Sequence, residues 1–330
     1  MSHMEEVAYQ CLNENRRERP TMGLIAETLE KALELQVSSK QSSKGLGFIQ
    51  VGTWEDKVET LKITVIYSLM FTSKYRGHFV NSDKAGGLAG GDTVSEVTFD
   101  DDEQVIGIIG TTGTRDGYTG ISSLSFKTNK RTHGPFGQET ETPFSIPWDR
   151  GTLVGFYGLG GDYIDAIGVY LKAYKNVIRV GTWGKTDFVR NTWSFEVKGN
   201  VRLQKITIVH DDVIYSLMFT TLFRGEIHTS KTVGGWNSRG AVSEVNFNWN
   251  EEINAMSGTF MSLRGNDDHG NTIISSISFT TNKRDYGPYG HVQGTPFKVE
   301  WNDGLFAGFY GLSGYYIDTI GVYLNASRPK

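Results

Sequence analysis

Two short stretches of this chain hold hydrogen-bond donors and an acceptor at close spacing, and they are copies of each other. Gly158-Leu-Gly-Gly-Asp-Tyr-Ile-Asp-Ala-Ile-Gly-Val-Tyr-Leu171 recurs as Gly311-Leu-Ser-Gly-Tyr-Tyr-Ile-Asp-Thr-Ile-Gly-Val-Tyr-Leu324. Each copy is a glycine-rich turn, then an acid, then an alternating apolar strand. Glycine tolerates backbone conformations that other residues avoid, so such a turn can present its N–H groups outward. Asp165 and Asp318 each add a carboxylate, which accepts hydrogen bonds and donates none. Donors and an acceptor within a few residues suit a ligand built of hydroxyl groups, each of which needs both. That chemistry points to a sugar.

Other readings of the same acids are poorer. Asp162 and Asp165 lie three apart, which raises the question of glycoside hydrolysis. Hydrolysis needs two carboxyls facing across the scissile bond, and one tight turn cannot place them so. The second copy also has Tyr315 where the first has Asp162. The bland alternative, that Asp165 and Asp318 merely cap a hairpin through backbone hydrogen bonds, stays open at this level. Asp100-Asp-Asp-Glu103 lacks the spacing and glycine of a calcium-binding EF-hand loop and reads as a solvated strand-end turn. His210-Asp-Asp212 and His269 beside Asp267-Asp268 have no second histidine at ligand spacing and read as surface residues. No metal, no cofactor and no catalysis are expected.

The elements that carry these turns are strands. The chain has 330 residues, with 40 glycines, 7 prolines and 12% aromatics, a composition that suggests many short strands joined by tight turns. Ser122-Ser-Leu-Ser-Phe126, Val213 to Phe219 and Gly168-Val-Tyr-Leu171 alternate with period two. A net charge of −4 leaves no electrostatic footprint for nucleic acid. No apolar run approaches the roughly 20 residues that a spanning helix needs, so no membrane insertion is expected. The one cysteine, Cys11, excludes an intrachain disulfide and fits a reducing compartment, cytoplasmic or nuclear. The start is polar, and Met1-Ser-His-Met4 reads as a vector-derived leader, with a native start further upstream.

Residues 1–36 differ from the rest. Pro20 suits the first turn of a helix, and Leu24, Ile25, Thr28, Leu29, Ala32 and Leu35 then share one helical face. Residues 37–48 are a small-polar linker. Beyond it the chain repeats itself. Val51-Gly-Thr-Trp54 matches Val180-Gly-Thr-Trp183, Val65-Ile-Tyr-Ser-Leu-Met-Phe71 matches Val213 to Phe219, and Thr128-Asn-Lys-Arg131 matches Thr281-Asn-Lys-Arg284. The units are too long to be solenoid modules and are read as homologous domains, 49–174 and 175–330. They are unequal. The offset between repeats is 180 − 51 = 129 at the first motif and 213 − 65 = 148 at the second, so repeat one lacks 148 − 129 = 19 residues, about one strand and its turn. One sheet of repeat one should therefore have a gap, which the amino-terminal helices would be placed to cover. Trp183, Trp193 and Trp249 read as core or strand-face residues, and Trp236 as core or a border of the site.

Tyr9-Gln-Cys-Leu12 followed by Arg16 and Arg19-Pro-Thr-Met22 resembles the last two helices of a protein kinase C-lobe. None of a kinase's phosphate-handling motifs is present in the sequence. The repeats resemble the jacalin-related lectins, through Val-Gly-x-Trp, Ile-Tyr-Ser-Leu-Met-Phe, Thr-Asn-Lys-Arg before Gly-Pro-aromatic-Gly, and Gly-Phe-Tyr-Gly before each acid turn. That resemblance implies an all-β chain of two β-prism domains, each of three four-stranded Greek-key sheets, after the short helical segment. It implies sugar contacts at Gly161, Asp162, Tyr163 and Asp165 in repeat one and at Gly314, Tyr315, Tyr316 and Asp318 in repeat two, with a first-loop contact at Gly184. The carboxylates would accept from sugar hydroxyls, backbone N–H groups at 162, 163, 315 and 316 would donate, and the tyrosines would lay apolar faces on the sugar. Galactose-preferring members expose a free glycine amine, absent from these internal loops, so mannose- and glucose-containing glycans are the expected partners. Paired sites, or a homo-oligomer, would add avidity. The competing reading is a protein-interaction or decoy module in plant defence or stress signalling, with degenerate sugar sites. With the shortened loop beside Asp165, repeat two is expected to hold the better site.

Overall fold

The computed structural model describes residues 48–325 apart from 53–64, 76–77, 88–92, 116–117, 141, 175–176, 186–190, 236–239, 263–270 and 303. The predicted helical segment lies outside the described residues, as do residues 37–47 of the linker. The described residues contain strands and turns and no helix.

In repeat one the strands are β1 (Phe48–Gly52), β2 (Ser68–Leu69), β3 (Thr72–Tyr75), β4 (His78–Asn81), β5 (Ala85–Gly86) and β6 (Val105–Arg115). They continue as β7 (Tyr118–Thr128), β8 (Thr132–Gly137), β9 (Thr142–Asp149), β10 (Gly151–Gly160) and β11 (Ile164–Ala173). Repeat two runs β12 (Val177–Trp183), β13 (Asn191–Glu196), β14 (Arg202–His210), β15 (Ile214–Phe223), β16 (Glu226–Thr229) and β17 (Val233–Gly234). It closes with β18 (Ala241–Asn246), β19 (Ile253–Ser262), β20 (Thr272–Thr281), β21 (Asp285–Gly290), β22 (Thr295–Trp301), β23 (Leu305–Ser313) and β24 (Ile317–Asn325).

Repeat two is a complete β-prism. Its three sheets have the orders β13-β23-β24-β12, β22-β19-β20-β21 and β16-β15-β14-β18, with β17 beside β15. In the first sheet the earliest two strands flank the last two, the Greek-key arrangement. β24 lies inside that sheet and is buried from Ile317 to Leu324. A strand covered on both faces reads as a nearly continuous apolar run.

Repeat one has the same plan with two breaches. The sheet β9-β6-β7-β8 is whole. Among the described residues the sheet β10-β11-β1 has three strands; in repeat two the fourth place belongs to β13, which pairs with β23 over six residues, Asn191↔Ser313 to Glu196↔Gly308. Val154 on β10 is consequently 52% exposed, whereas its counterpart Ala307 is 3% exposed. Among the described residues the third sheet consists of the pairs β2-β5 and β3-β4. In repeat two, β18 draws its ladder from β14. Lys62-Ile-Thr64 repeats Lys205-Ile-Thr207 but runs straight into Val65, whereas five residues, 208–212, separate Thr207 from Val213. Ile208 to His210, which supply half of that ladder, therefore have no counterpart in the sequence of repeat one. Residues 93–104 of repeat one form no strand, and Val94 is 94% exposed. Two sheets of repeat one are thus incomplete among the described residues, where one gap was expected.

The first strand of each repeat bridges to the other repeat. β1 pairs with β11 of its own repeat and with β22 of repeat two, at Val51↔Trp301 and Gly52↔Glu300. β12 pairs with β24 and with β9 of repeat one, at Val180↔Trp148 and Arg179↔Asp149. Ile49, Val51, Ile178 and Val180 have no exposed surface and belong to one core that runs through both repeats. Each such side chain contributes about 1.5–3 kcal/mol through burial. The Trp183 indole donates to the Ser145 carbonyl of repeat one at 3.2 Å and stacks on Phe297 of repeat two at 5.1 Å.

The Thr-Asn-Lys-Arg motif has a structural purpose. Glu251 accepts from Thr281 Oγ1 at 2.8 Å, Arg284 Nη2 at 3.2 Å, Tyr286 OH at 2.9 Å and the Asn248 N–H at 3.0 Å. Burial pushes the Glu251 pKa up, and these four bonds outweigh it and bring the carboxyl down to about 2. In repeat one Glu103 accepts from Thr128 Oγ1 at 2.7 Å and Arg131 Nη2 at 3.3 Å, with the His133 ring at 2.8 Å. Asp100 and Asp102 are exposed beside Lys130, as the solvated-turn reading expects. Glu103 departs from it, as a side chain with no solvent exposure. A buried carboxylate persists because its partners supply what water would.

Candidate functional site

Both acid turns form tight loops between the last two strands of their repeats, closed by one backbone bond. Gly161 N–H donates to the Tyr163 carbonyl at 2.9 Å, and Gly314 N–H to the Tyr316 carbonyl at 3.0 Å. These two glycine N–H groups are thus committed to shaping the turn.

In repeat two the structure brings the separated sequence candidates together. Gly184 has φ +88°, a conformation that favours glycine. A Cβ there would lie 2.3 Å from the Asp318 carbonyl oxygen, so the first loop passes directly over the acid turn. The loop is fastened to β20. Lys185 N–H donates to Thr272 Oγ1 at 2.6 Å, and Thr272 N–H donates to the Lys185 carbonyl at 2.6 Å. Under this cover Asp318 is 2% exposed. A carboxylate in such a low-dielectric setting forms stronger hydrogen bonds than one in water. Gly314 is half-buried, and Tyr315 stands 65% exposed at the tip. Tyr316 is half-buried, its ring 5.6 Å from that of Tyr215.

Repeat one arranges the corresponding residues differently. Gly161 and Asp165 are half-buried and Asp162 is exposed. The Asp162 carbonyl is covered by Gly87, where a Cβ would lie 2.1 Å away. Tyr163 overturns one expectation. Its side chain is 8% exposed and lies against Gly120, so in this arrangement it offers no apolar face to a ligand.

Several neighbours of the site were not singled out by the sequence. Thr272 and Tyr215 sit in strand patterns and carry no local signal of a binding role. His210 is also more than a surface residue. Its Nδ1 accepts from the Gly290 N–H at 3.2 Å and its Nε2 lies 2.8 Å from Ser243 Oγ, tying β14 to β21 and β18. Burial lowers its pKa, with the Asp211 carboxylate opposing. Trp183 and Trp193 are core residues, whereas Trp249 is 78% exposed. Trp236 and His269 lie outside the described residues. Among the described residues no group of three metal-binding side chains occurs.

A tandem of three-sheet prisms, each ending in a glycine-and-acid turn, defines a class of binding proteins. The family model described as the jacalin-like lectin domain matches residues 43–170 and 180–323. The chain belongs to that family, in two copies. A lectin domain binds and does not catalyse, and the non-enzymatic reading rests on that family membership. Among similar proteins is a "Mannose/glucose-specific lectin" of Parkia pendula, 35% identical over 283 residues, which cover 83% of this chain and 61% of the relative. The protein of the same description from Parkia platycephala is 33% identical with the same coverages. An "Agglutinin" of Castanea crenata is 31% identical over 75% of this chain and 83% of its own length. The chain therefore spans 61% of the length of the Parkia relatives. A chain of Malaysian banana lectin is 35% identical over 44% of this chain and 96% of its own, with a TM-score of 0.37.

Proposed function

We propose that this chain is a non-covalent lectin for mannose- and glucose-containing glycans, with its principal site in repeat two. The observation that carries the reading is the contact between the Gly184 loop and the Asp318 turn. Two stretches 134 residues apart (318 − 184 = 134) meet over one buried carboxylate. Asp318 is the acceptor for sugar hydroxyls, the backbone N–H groups of Tyr315 and Tyr316 are the donors, and Gly184 lets the first loop approach. The mannose/glucose specificity that the Parkia relatives are named for supports mannose and glucose as the sugar class. In repeat one, Gly161, Asp162 and Asp165 form a second, weaker site, because Asp165 lacks comparable cover and Tyr163 is withdrawn. The cytoplasm or nucleus and a homo-oligomer complete this proposal.

A shallow turn with few hydrogen bonds to a single ring should bind a monosaccharide with a Kd of about 1 mM. Titration of the full chain with mannose, methyl glucoside and galactose tests this. Saturable binding of the first two, abolished mostly by Asp318→Ala and less by Asp165→Ala, is the expected result. Absence of saturable binding to any of the three, or equal loss from both substitutions, would overturn the assignment.

A further inference from the structure

The hairpin β10-β11 of repeat one has the same backbone plan as β23-β24 of repeat two. Register shifts occur between Leu153 and Gly155 and between Leu159 and Gly160, and again at the matching Phe306 and Gly308 and at Leu312 and Ser313. In repeat two β13 lies along the outer edge of β23, with Trp193 opposite Gly311 and Phe195 opposite Phe309. Trp193 and Phe195 both stack on Phe219, at 6.3 and 4.2 Å, while Thr192, Ser194 and Glu196 between and beside them are exposed. Two glycines of β23 make room for this strand. A Cβ on Gly308 would lie 2.0 Å from the Phe195 carbonyl, and one on Gly311 would lie 3.1 Å from Trp193 Cε2.

Repeat one keeps the receiving surface. Gly155, Phe156, Gly158 and Phe71 stand where repeat two has Gly308, Phe309, Gly311 and Phe219. Gly158 is exposed and Phe71 half-buried, whereas Gly311 and Phe219 are buried. Phe71 stacks on Phe156 at 4.6 Å, so an aromatic face remains beside the edge. The sequence of the inserted strand is not kept. Residues 55–61, Glu-Asp-Lys-Val-Glu-Thr-Leu, stand where repeat two has 184–204, and they include no aromatic residue.

We propose that the outer edge of β10 is a docking site for an extended segment of another polypeptide, one that carries two aromatic side chains two positions apart with a polar residue between them. The segment adds antiparallel to β10 in the register of β13, its first aromatic on Gly158 and its second beside Phe156 and Phe71. β13 on β23 is the internal example of such an occupant. An open sheet edge is a template for another chain, and main-chain hydrogen bonds along it supply affinity while pockets for alternate side chains supply selectivity. The surface lies outside the acid turns, so this inference stands independently of sugar binding. Gly155 offers a way to block it. Its φ lies outside the left-handed range, and a Cβ there would meet Tyr170 Cδ2 at 3.5 Å, an ordinary contact. Valine therefore suits β10 as it stands. Gly308, beneath the Phe195 carbonyl, has φ +134°, a conformation that a β-branched residue avoids. Valine at 155 would thus bar the approach that β13 makes in repeat two.

The test is a titration of the full chain against a fluorescent peptide of residues 190–197, Arg-Asn-Thr-Trp-Ser-Phe-Glu-Val, followed by anisotropy. Saturable binding of one peptide per chain is expected, weakened at least about tenfold when the peptide carries Trp193→Ala and Phe195→Ala. Gly155→Val in the chain should weaken binding by a similar factor and leave its thermal transition in place. Hydrogen exchange on the parent chain needs no variant and decides the matter if Gly155→Val fails to fold. Added peptide should slow exchange at the β10 amides that face away from β11 and leave β23 unaffected. Absence of saturable binding, equal binding of the alanine peptide, parental binding by a folded Gly155→Val chain, or slowed exchange at β23 in place of β10 overturns the proposal. So does protection of the β10 edge before peptide is added. Protection at every protein concentration would assign the edge to residues of the same chain, and protection only where the chain self-associates would assign it to a second copy. Each of these outcomes leaves the sugar reading, with its own titration, untouched.

Discussion

Val180 of repeat two lies in antiparallel register with Trp148 of repeat one, and Val51 of repeat one has the same relationship to Trp301 of repeat two. The two contacts are equivalent under the repeat, since 180 − 51 = 129 and 301 − 148 = 153 are the offsets of the respective motifs. Each repeat contributes its first strand to an edge of the other, and Trp148 and Trp301 are 3% and 2% exposed there. An edge strand that is paired cannot template aggregation, so the exchange also protects both sheets.

A shared core should melt as one unit. Calorimetry of the full chain is expected to give a single cooperative transition for the two repeats, and Trp148→Ala should lower stability by about 3–5 kcal/mol without splitting that transition. Two transitions, with only the first moved by Trp148→Ala, would show that the repeats fold independently.

The buried carboxylates set an acid limit. Glu251 has its pKa lowered to about 2 by the bonds from Arg284, Asn248, Thr281 and Tyr286, against the opposing effect of burial. A group whose folded pKa lies below its unfolded value of 4.5 adds stability that is fully present above 4.5 and is lost as pH falls from 4.5 to about 2. Glu251→Gln should therefore lower the Tm at pH 7 and flatten the Tm decline between pH 4.5 and 2. An unchanged acid slope would show that the carboxylate is not stabilised as described.

Much of the fold was legible in local pattern, and the remainder depended on contacts distant in sequence. Alternation marked Val213 to Phe219 as a strand, where β15 runs Ile214–Phe223, and the duplicated turns located Asp165 and Asp318. The deletion foretold a gap, but its second effect, on the β18 counterpart, required knowing that β14 is the partner. Glu103 looked like one more acid in a solvated run because its hydrogen-bonding partners, Thr128 and Arg131, are 25 and 28 positions away. Tyr163 and Tyr316 sit in near-identical local sequence, yet the first is buried against Gly120 and the second is half-buried beside Tyr215. Packing of that kind leaves no periodicity to read.

His210 should give a second, milder pH dependence. Burial holds its pKa below the ordinary 6.5, and the neutral ring is needed because Nδ1 accepts from the Gly290 N–H. Its contribution is present above pH 6.5 and fades as pH falls through the lower folded value. Substitution His210→Gln should flatten the Tm profile between pH 7 and 5 while leaving the steeper loss below pH 4.5. If the variant and parent show the same slope between pH 7 and 5, the histidine is not the group that titrates.

Gly184 gives the most direct check on the repeat-two site. A side chain there faces two penalties, a φ of +88° and a Cβ only 2.3 Å from the Asp318 carbonyl. Neither can be relieved by rotating a side chain, because both involve backbone. For Gly184→Ala the strained conformation alone should cost about 1–3 kcal/mol, which the surrounding sheet can absorb. The loop must then lift away from Asp318 and uncover the carboxylate that is proposed to accept from the sugar hydroxyls. Mannose affinity should fall at least about tenfold, equivalent to about 1.4 kcal/mol. The same variant should leave the weaker site around Asp165 unchanged, which two-dimensional NMR titration can follow separately from repeat two. Retention of parental mannose affinity in a folded Gly184→Ala protein would mean that the first loop contributes nothing to the site.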